Sequence, residues 1–133
     1  MNEAVQFLID NPVFYLATVD GDEPKVRPFG FIMEFQGKIY FCTSNEKQVF
    51  KQLKANPKFE VCTTDKAGRW IRLKGKAVFD DNYEAKKKVF EMMPIVADIY
   101  QDASNPIFEV FYLAEGEAAI FSMSGEKRTY KLS

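Results

Sequence analysis

Short runs of aromatic and branched residues, parted by turns of only a few residues, recur through most of the chain. They are VFYLATVD (13–20), KVRPFGFIMEF (25–35), KIYFCT (38–43), KFEVCTT (58–64), RWIRLKGKAVF (69–79), IFEVFYLA (107–114) and EAAIFSMS (117–124). Turn signals separate them at Gly21 to Pro24, Gln36-Gly37, Asp65 to Gly68 and Glu115-Gly116. Connections this short join antiparallel neighbours, because a parallel pair needs a long crossover. Helical periodicity is confined to residues 3–10, about 46–55 and 82–93, with a short helical turn at 95–99. Such crossovers are too few for a doubly wound parallel sheet. The expectation is therefore a mainly β (α+β) domain: a small closed or partly closed β-barrel of six to seven mostly antiparallel strands with peripheral helices. The tail EKRTYKLS (126–133) reads as a last short strand or extended arm.

Two strand readings carry more detail. Pro28 has no N–H to give a ladder, so 25–35 must lie at an edge or contain a bulge, and Gly30 suggests close backbone approach. In 69–79 a period of two puts Ile71, Leu73, Gly75, Ala77 and Phe79 on a core face. It leaves Trp70, Arg72, Lys74, Lys76 and Val78 on the other. The only tryptophan on a polar face hints at an interface or a ligand edge.

At 133 residues, with 13 Phe and 6 Tyr, one domain spanning residues 1–133 can bury a real core. A formal charge of −1 makes nucleic acid an unfavoured partner. No apolar run approaches membrane-spanning length, and the polar start MNEAVQFLID lacks the pattern of a signal peptide. Cys42 and Cys62 are read as buried free thiols, and the expected location is cytoplasmic. The chain has no histidine, which argues against His-based acid–base chemistry, Ser-His-Asp triads and most catalytic zinc sites. It has neither GxGxxG nor GxxxxGK. The carboxylates Glu109, Glu115 and Glu117 read as a solvated rim, Asp80-Asp81 as a strand end and helix start, and Lys86-Lys87-Lys88 as a solvated helix face.

The chemistry concentrates in FCTSNEKQVFKQLKAN (41–56), where a strand passes through a polar turn into an amphipathic helix. Thr43 and Ser44 supply hydroxyls and the helix start supplies free N–H groups. Lys47 places a cation in the first turn, where it opposes the helix dipole. Ser44 or Asn45 can cap the helix; with Asn45 as cap, Gln48 completes a capping box. Lys47 and Lys51, one turn apart, and Arg27 from the preceding hairpin form a candidate anion site, most simply for a phosphate. An ordinary capped surface helix beside a solvent-facing arginine is the other reading of the same residues.

The order of these pieces (RPFGF, a hairpin, then TSNEKQVFKQLKANP from Thr43 to Pro57, then RWIRLKGKAVF) resembles the pyridoxamine 5′-phosphate oxidase-like family of FMN-binding split barrels. The likeness runs from about Val13 to Phe121. It implies a homodimer with FMN at the subunit interface. Arg27, Pro28, Phe29 and Gly30 match the strand that approaches the flavin phosphate and ring. Phe41, Cys42, Thr43 and Ser44 match the segment lining the isoalloxazine and ribityl chain. Lys47 matches the phosphate-binding lysine, with Lys51 as a supplement, and Trp70 and Arg72 lie where a partner subunit reaches the cofactor. No catalytic side chain and no metal ligand is implied. The vitamin B6 oxidase itself has a longer C-terminal portion and a substrate-side histidine that this chain lacks. The resemblance therefore implies an FMN-dependent oxidoreductase of flavin reductase or nitroreductase type, passing electrons from a small donor to a small acceptor. An electron carrier or redox sensor, and a barrel without cofactor, are the alternatives.

Overall fold

The computed structural model describes residues 2–132. In chain order the elements are α1 (Glu3–Asp10), β1 (Phe14–Asp20), β2 (Glu23–Phe29), β3 (Met33–Phe35), β4 (Lys38–Ser44), α2 (Gln48–Ala55), β5 (Lys58–Thr64), β6 (Trp70–Phe79), α3 (Tyr83–Met92), α4 (Pro94–Tyr100), β7 (Phe108–Phe121) and β8 (Lys127–Lys131). Local chemistry sets many of these limits. Asn2 caps α1 by accepting from the Ala4 N–H at 2.7 Å, and Asn82 caps α3 by accepting from Ala85 at 3.1 Å. Pro94 opens α4, where its missing N–H removes no helical bond.

All the strands join one antiparallel sheet in the order β2-β1-β5-β6-β7-β4-β3, with β8 paired to β7. The expected barrel is corrected here: there are eight strands rather than six or seven, and the sheet stays open. The two ends of that order are the edges β2 and β3, and β8 too has a single partner strand. Pro24 and Pro28 in β2 have no N–H to donate, and β3 spans three residues, so neither edge offers a full ladder. The span read as a single strand over 25–35 is thus two, with 30–32 between them.

The two runs at 107–114 and 117–124 are instead one strand of 14 residues, β7. Its first half pairs with β4, its second half with β8, and β6 runs along its other side. The predicted turn at Glu115-Gly116 is a bulge opposite Gly75, where the register shifts between Lys74 and Lys76. Gly75 is needed there: a Cβ would come within 2.7 Å of the Ala114 carbonyl and collide with Leu113.

Two apolar clusters result. In one, Phe14, Phe59 and Phe111 surround Phe41, which stacks on Phe111 at 5.2 Å between centroids, and α1 adds Val5, Phe7 and Leu8. The other packs Met33, Tyr40, Phe108 and Val110 under Ala85, Val89 and Val96 from α3 and α4. Strand β4 separates them, sending Phe41 to one side and Tyr40 and Cys42 to the other. Two surface expectations fail. Cys62 is exposed, because its side chain points outward from β5, while Cys42 is half-buried and neither forms a disulfide. Lys86 is buried and bonds Asp81 at 3.2 Å, so the lysine run is not wholly solvated. Among the described residues no helix is long and apolar enough to cross a membrane.

Candidate functional site

The edge strand β2 ends in Arg27-Pro28-Phe29 and continues into Gly30 and Phe31. The end of β4 brings Cys42 and Thr43, the start of α2 brings Lys47 and Val49, and Met93 and Val96 come from the start of α4. Together they line a cavity of about 200 Å³.

The turn between β4 and α2 leaves the helix start open. Ser44 folds the turn, its hydroxyl accepting from the Glu46 N–H at 3.2 Å and its carbonyl from Lys47 at 3.1 Å. Asn45 is spent elsewhere: its amide donates to the Pro106 carbonyl at 2.8 Å and to the Glu109 carboxylate at 2.9 Å. Neither residue caps the helix. The cap position is Lys47, no side chain accepts from the first helical N–H groups, and the first turn holds no acid. The expected capping box is therefore absent, because distant contacts took the asparagine. The opening of α2 keeps its donors and its positive dipole end for something else.

Three more groups stand at this cavity: a buried hydroxyl without a partner, an exposed lysine and a half-buried arginine. Thr43 is 5% exposed, and its Oγ1 is a buried side-chain oxygen with no hydrogen-bond partner. Leaving such a group unmade costs about 1–3 kcal/mol, so it asks for an explanation. Lys47 makes no ion pair among the described residues, nor does Arg27. The Arg27 guanidinium is instead held by neutral oxygens: Nη1 donates to the Leu16 carbonyl at 3.1 Å and to Thr18 Oγ1 at 2.8 Å, and Nη2 donates to Gln52 Oε1 at 2.6 Å. Burial lowers its pKa, and no acid offsets that.

Other groups around the cavity are quiet. Burial pushes the Cys42 thiol up to about 12, against the opposing pull of the Lys47 charge, so the sulfur is a neutral wall and not a nucleophile. Tyr100, its hydroxyl on Ser44, is also raised, first by burial. No carboxylate lines the cavity. Among the described residues no cluster of His, Cys, Asp or Glu could hold a metal ion. The set of free N–H groups, two unpaired cations and an orphan hydroxyl fits a phosphate. It has nothing to offer a cation.

The structure thus brings together Arg27, Pro28, Phe29, Gly30, Cys42, Thr43 and Lys47 of the residues singled out from sequence. It places the others apart. Phe41 is wholly buried in the aromatic core, and Ser44 is buried in the turn. Lys51 lies one turn along α2, in a separate hollow with Asp20 and Gly21. Trp70 stacks on Phe121 at 5.4 Å, and Arg72 donates to Glu60 at 2.7 Å, both on the outer face of the sheet. Hollows of about 500 Å³ lie on that face. They are larger than the cavity at Arg27, and there, among the described residues, Arg72, Lys74 and Lys76 are ion-paired while Lys58, Lys127 and Lys131 are not, but the buried side-chain oxygen without a partner, Thr43 Oγ1, belongs to the small cavity. We take the small cavity with unpaired groups as the candidate site. The apolar wall of Phe31, Val49, Met93 and Val96 had no sequence signal beyond ordinary core patterning. Nor did Thr18 and Gln52, which hold Arg27 from behind.

Comparison with known proteins places the chain in a family. The family model described as pyridoxamine 5′-phosphate oxidase matches residues 1–121. Comparison with curated proteins gives no match. Among solved structures, a NimC/NimA family protein from Clostridium acetobutylicum is 43% identical, over 97% of this chain and 90% of that one, with a TM-score of 0.92. A protein related to general stress protein 26 (pyridoxinephosphate oxidase family) from the same organism is 15% identical, over 96% and 95%, with a TM-score of 0.70. HutZ, the haem storage protein from Vibrio cholerae, shares the fold at 15% identity, over 95% and 89%, with a TM-score of 0.67. From a match over most of its length, and a close structural relative over nearly all of it, the chain belongs to the pyridoxamine 5′-phosphate oxidase-like family of the flavin-binding fold.

Proposed function

We propose that this protein binds FMN by its phosphate at the β2–β4–α2 cavity and works as an FMN-dependent oxidoreductase on a small acceptor, such as a nitro compound or a quinone. The observation that carries the reading is the orphan Thr43 hydroxyl, in a residue that lines one cavity with Lys47, at a helix start that no side chain caps. Phosphate oxygens would accept from that hydroxyl, from the first N–H groups of α2 and from the Lys47 ammonium. Arg27 has its Nε hydrogen and one Nη2 hydrogen left for the same anion.

When bound, the flavin supplies the electron-transfer chemistry. The chain's own task is binding, orientation and exclusion of water. Lys47 and Arg27 carry affinity and move no proton. Met93, Val96 and Phe31 close one side with apolar surface. The cavity is small beside the ~300–1,000 Å³ usual for such ligands. A second copy of the chain would supply the rest of the wall, and Trp70 and Arg72 would reach the site only from that copy. A homodimer is accordingly part of the proposal. Haem, which a distant structural relative stores, would find no histidine here for an axial ligand.

The absence of any carboxylate or histidine from the cavity lining favours a second reading, an electron carrier or sensor that binds FMN without a dedicated substrate. Native purification followed by release and identification of the chromophore tests the shared part. Recovery of FMN is expected, and a colourless protein that takes up no flavin phosphate would reject both readings. Steady turnover with NAD(P)H and a nitro or quinone acceptor is expected of the enzyme. Reduction without turnover on any acceptor would leave the carrier. Sedimentation is expected to give a dimer, and a monomer that binds FMN fully would remove the second copy from the site.

A further inference from the structure

We propose that Gln52, one layer behind the cavity, is a positioning residue that holds Arg27 toward the bound phosphate while leaving its positive charge uncancelled. The proposal rests on the phosphate reading above. Gln52 is 8% exposed and does not line the cavity. Its Oε1 accepts from Arg27 Nη2 at 2.6 Å and from Thr18 Oγ1 at 2.6 Å, while Thr18 Oγ1 itself accepts from Arg27 Nη1 at 2.8 Å. An arginine has donors only, so the atom it meets is the amide oxygen and the orientation of the amide is settled. The three groups form a closed ring of hydrogen bonds between β1, β2 and α2. That ring ties the edge strand, which has one neighbour only, to the helix whose first turn opens on the cavity.

The chemistry of the acceptor is the point. A half-buried arginine is ordinarily anchored by a carboxylate, which would hold it equally well. Glutamate is the same size and shape as glutamine and would make the stronger, charge-assisted bond. It would also bring a negative charge within a few ångströms of the anion site and cancel the field that Arg27 provides there. A neutral amide anchors the guanidinium without that cancellation. Affinity for a phosphate thus depends on a side chain that never touches it.

Apoprotein titrations with FMN and with riboflavin, which lacks the phosphate, test this beside thermal melting of the apoprotein. Gln52→Glu is expected to weaken FMN roughly tenfold or more. It should leave riboflavin affinity within about twofold and should not lower the melting temperature, since a new ion pair replaces the old bond. Gln52→Met removes the acceptor without adding charge, and should weaken FMN by a smaller factor, with some loss of melting temperature. Wild-type FMN affinity in Gln52→Glu would overturn the inference, as would an equal loss for both flavins. If Gln52→Glu does not fold, unchanged FMN affinity in Gln52→Met overturns it instead. A wild type that binds neither flavin rejects the FMN reading itself, and this inference with it.

Discussion

Two regions of this molecule display cations, and they treat them in opposite ways. On the outer face of β5, β6 and β7, Arg72 meets Glu60, Lys74 meets Glu117 and Lys76 meets Glu115, at 2.7, 3.2 and 3.1 Å. These pairs are cross-strand neighbours, and sheet geometry alone explains them. At the cavity between β2 and α2, Arg27 and Lys47 have no acid, Thr43 has no partner and the helix start has no cap. In the first region these three cations already have acids, although Lys58, Lys127 and Lys131 nearby make no ion pair among the described residues. The second holds a buried hydroxyl without a partner among the described residues, and that difference, rather than cavity size, singles it out as the candidate site.

Substitutions on the two sides should separate them. Arg27→Ala should have the largest effect. It strips donors from Thr18, Gln52 and the Leu16 carbonyl, costing about 2–3 kcal/mol in denaturant unfolding, and it also abolishes tight FMN uptake. Unchanged stability would mean that those three bonds do not form in solution. Lys47→Ala should weaken FMN by roughly tenfold or more with little change in unfolding, because it removes a charge-assisted contact worth ~1.5–3 kcal/mol and no internal bond. Equal affinity in a titration of the mutant would remove Lys47 from the site.

Thr43→Val sharpens the contrast further. It deletes an unpaired buried hydroxyl, so the apoprotein should unfold no earlier than wild type and up to ~1 kcal/mol later, while FMN affinity drops a few-fold. A clear destabilisation would reveal a partner for that oxygen within the protein. Lys74→Ala on the outer face should change stability by ~1 kcal/mol or less, as exposed pairs do, and leave FMN affinity alone. The thiols report the same division. At pH 8 a native chain should react with a thiol reagent at Cys62, on the exposed side. Cys42, whose pKa of about 12 keeps it protonated, should react only on unfolding. Two fast-reacting thiols in the native state would show the cavity wall to be open.

Signals confined to a few neighbouring residues were legible without the fold. Period-two runs located most of the strands, Asn82 announced the start of α3, and Pro28 asked for an edge or a bulge, of which β2 takes the edge. The resemblance carried by the order of motifs pointed to Arg27, Thr43 and Lys47 together, and these do share a cavity. What failed was what depends on distant partners. Asn45 looks like a helix cap until Pro106 and Glu109 claim its amide. Glu115-Gly116 looks like a turn until Gly75 lies opposite and turns it into a bulge.

By itself, then, the sequence showed where most of the strands lie, which face of them is apolar and which residues make a candidate anion site, because each of these is a matter of spacing along the chain. Only the tertiary structure decided that the sheet stays open, that Trp70 and Arg72 lie apart from Arg27 within one chain, and that Gln52 stands behind the arginine. Those outcomes rest on pairings between residues far apart in sequence. Hydrogen-bond demand and packing settle such pairings only when the whole chain is in place.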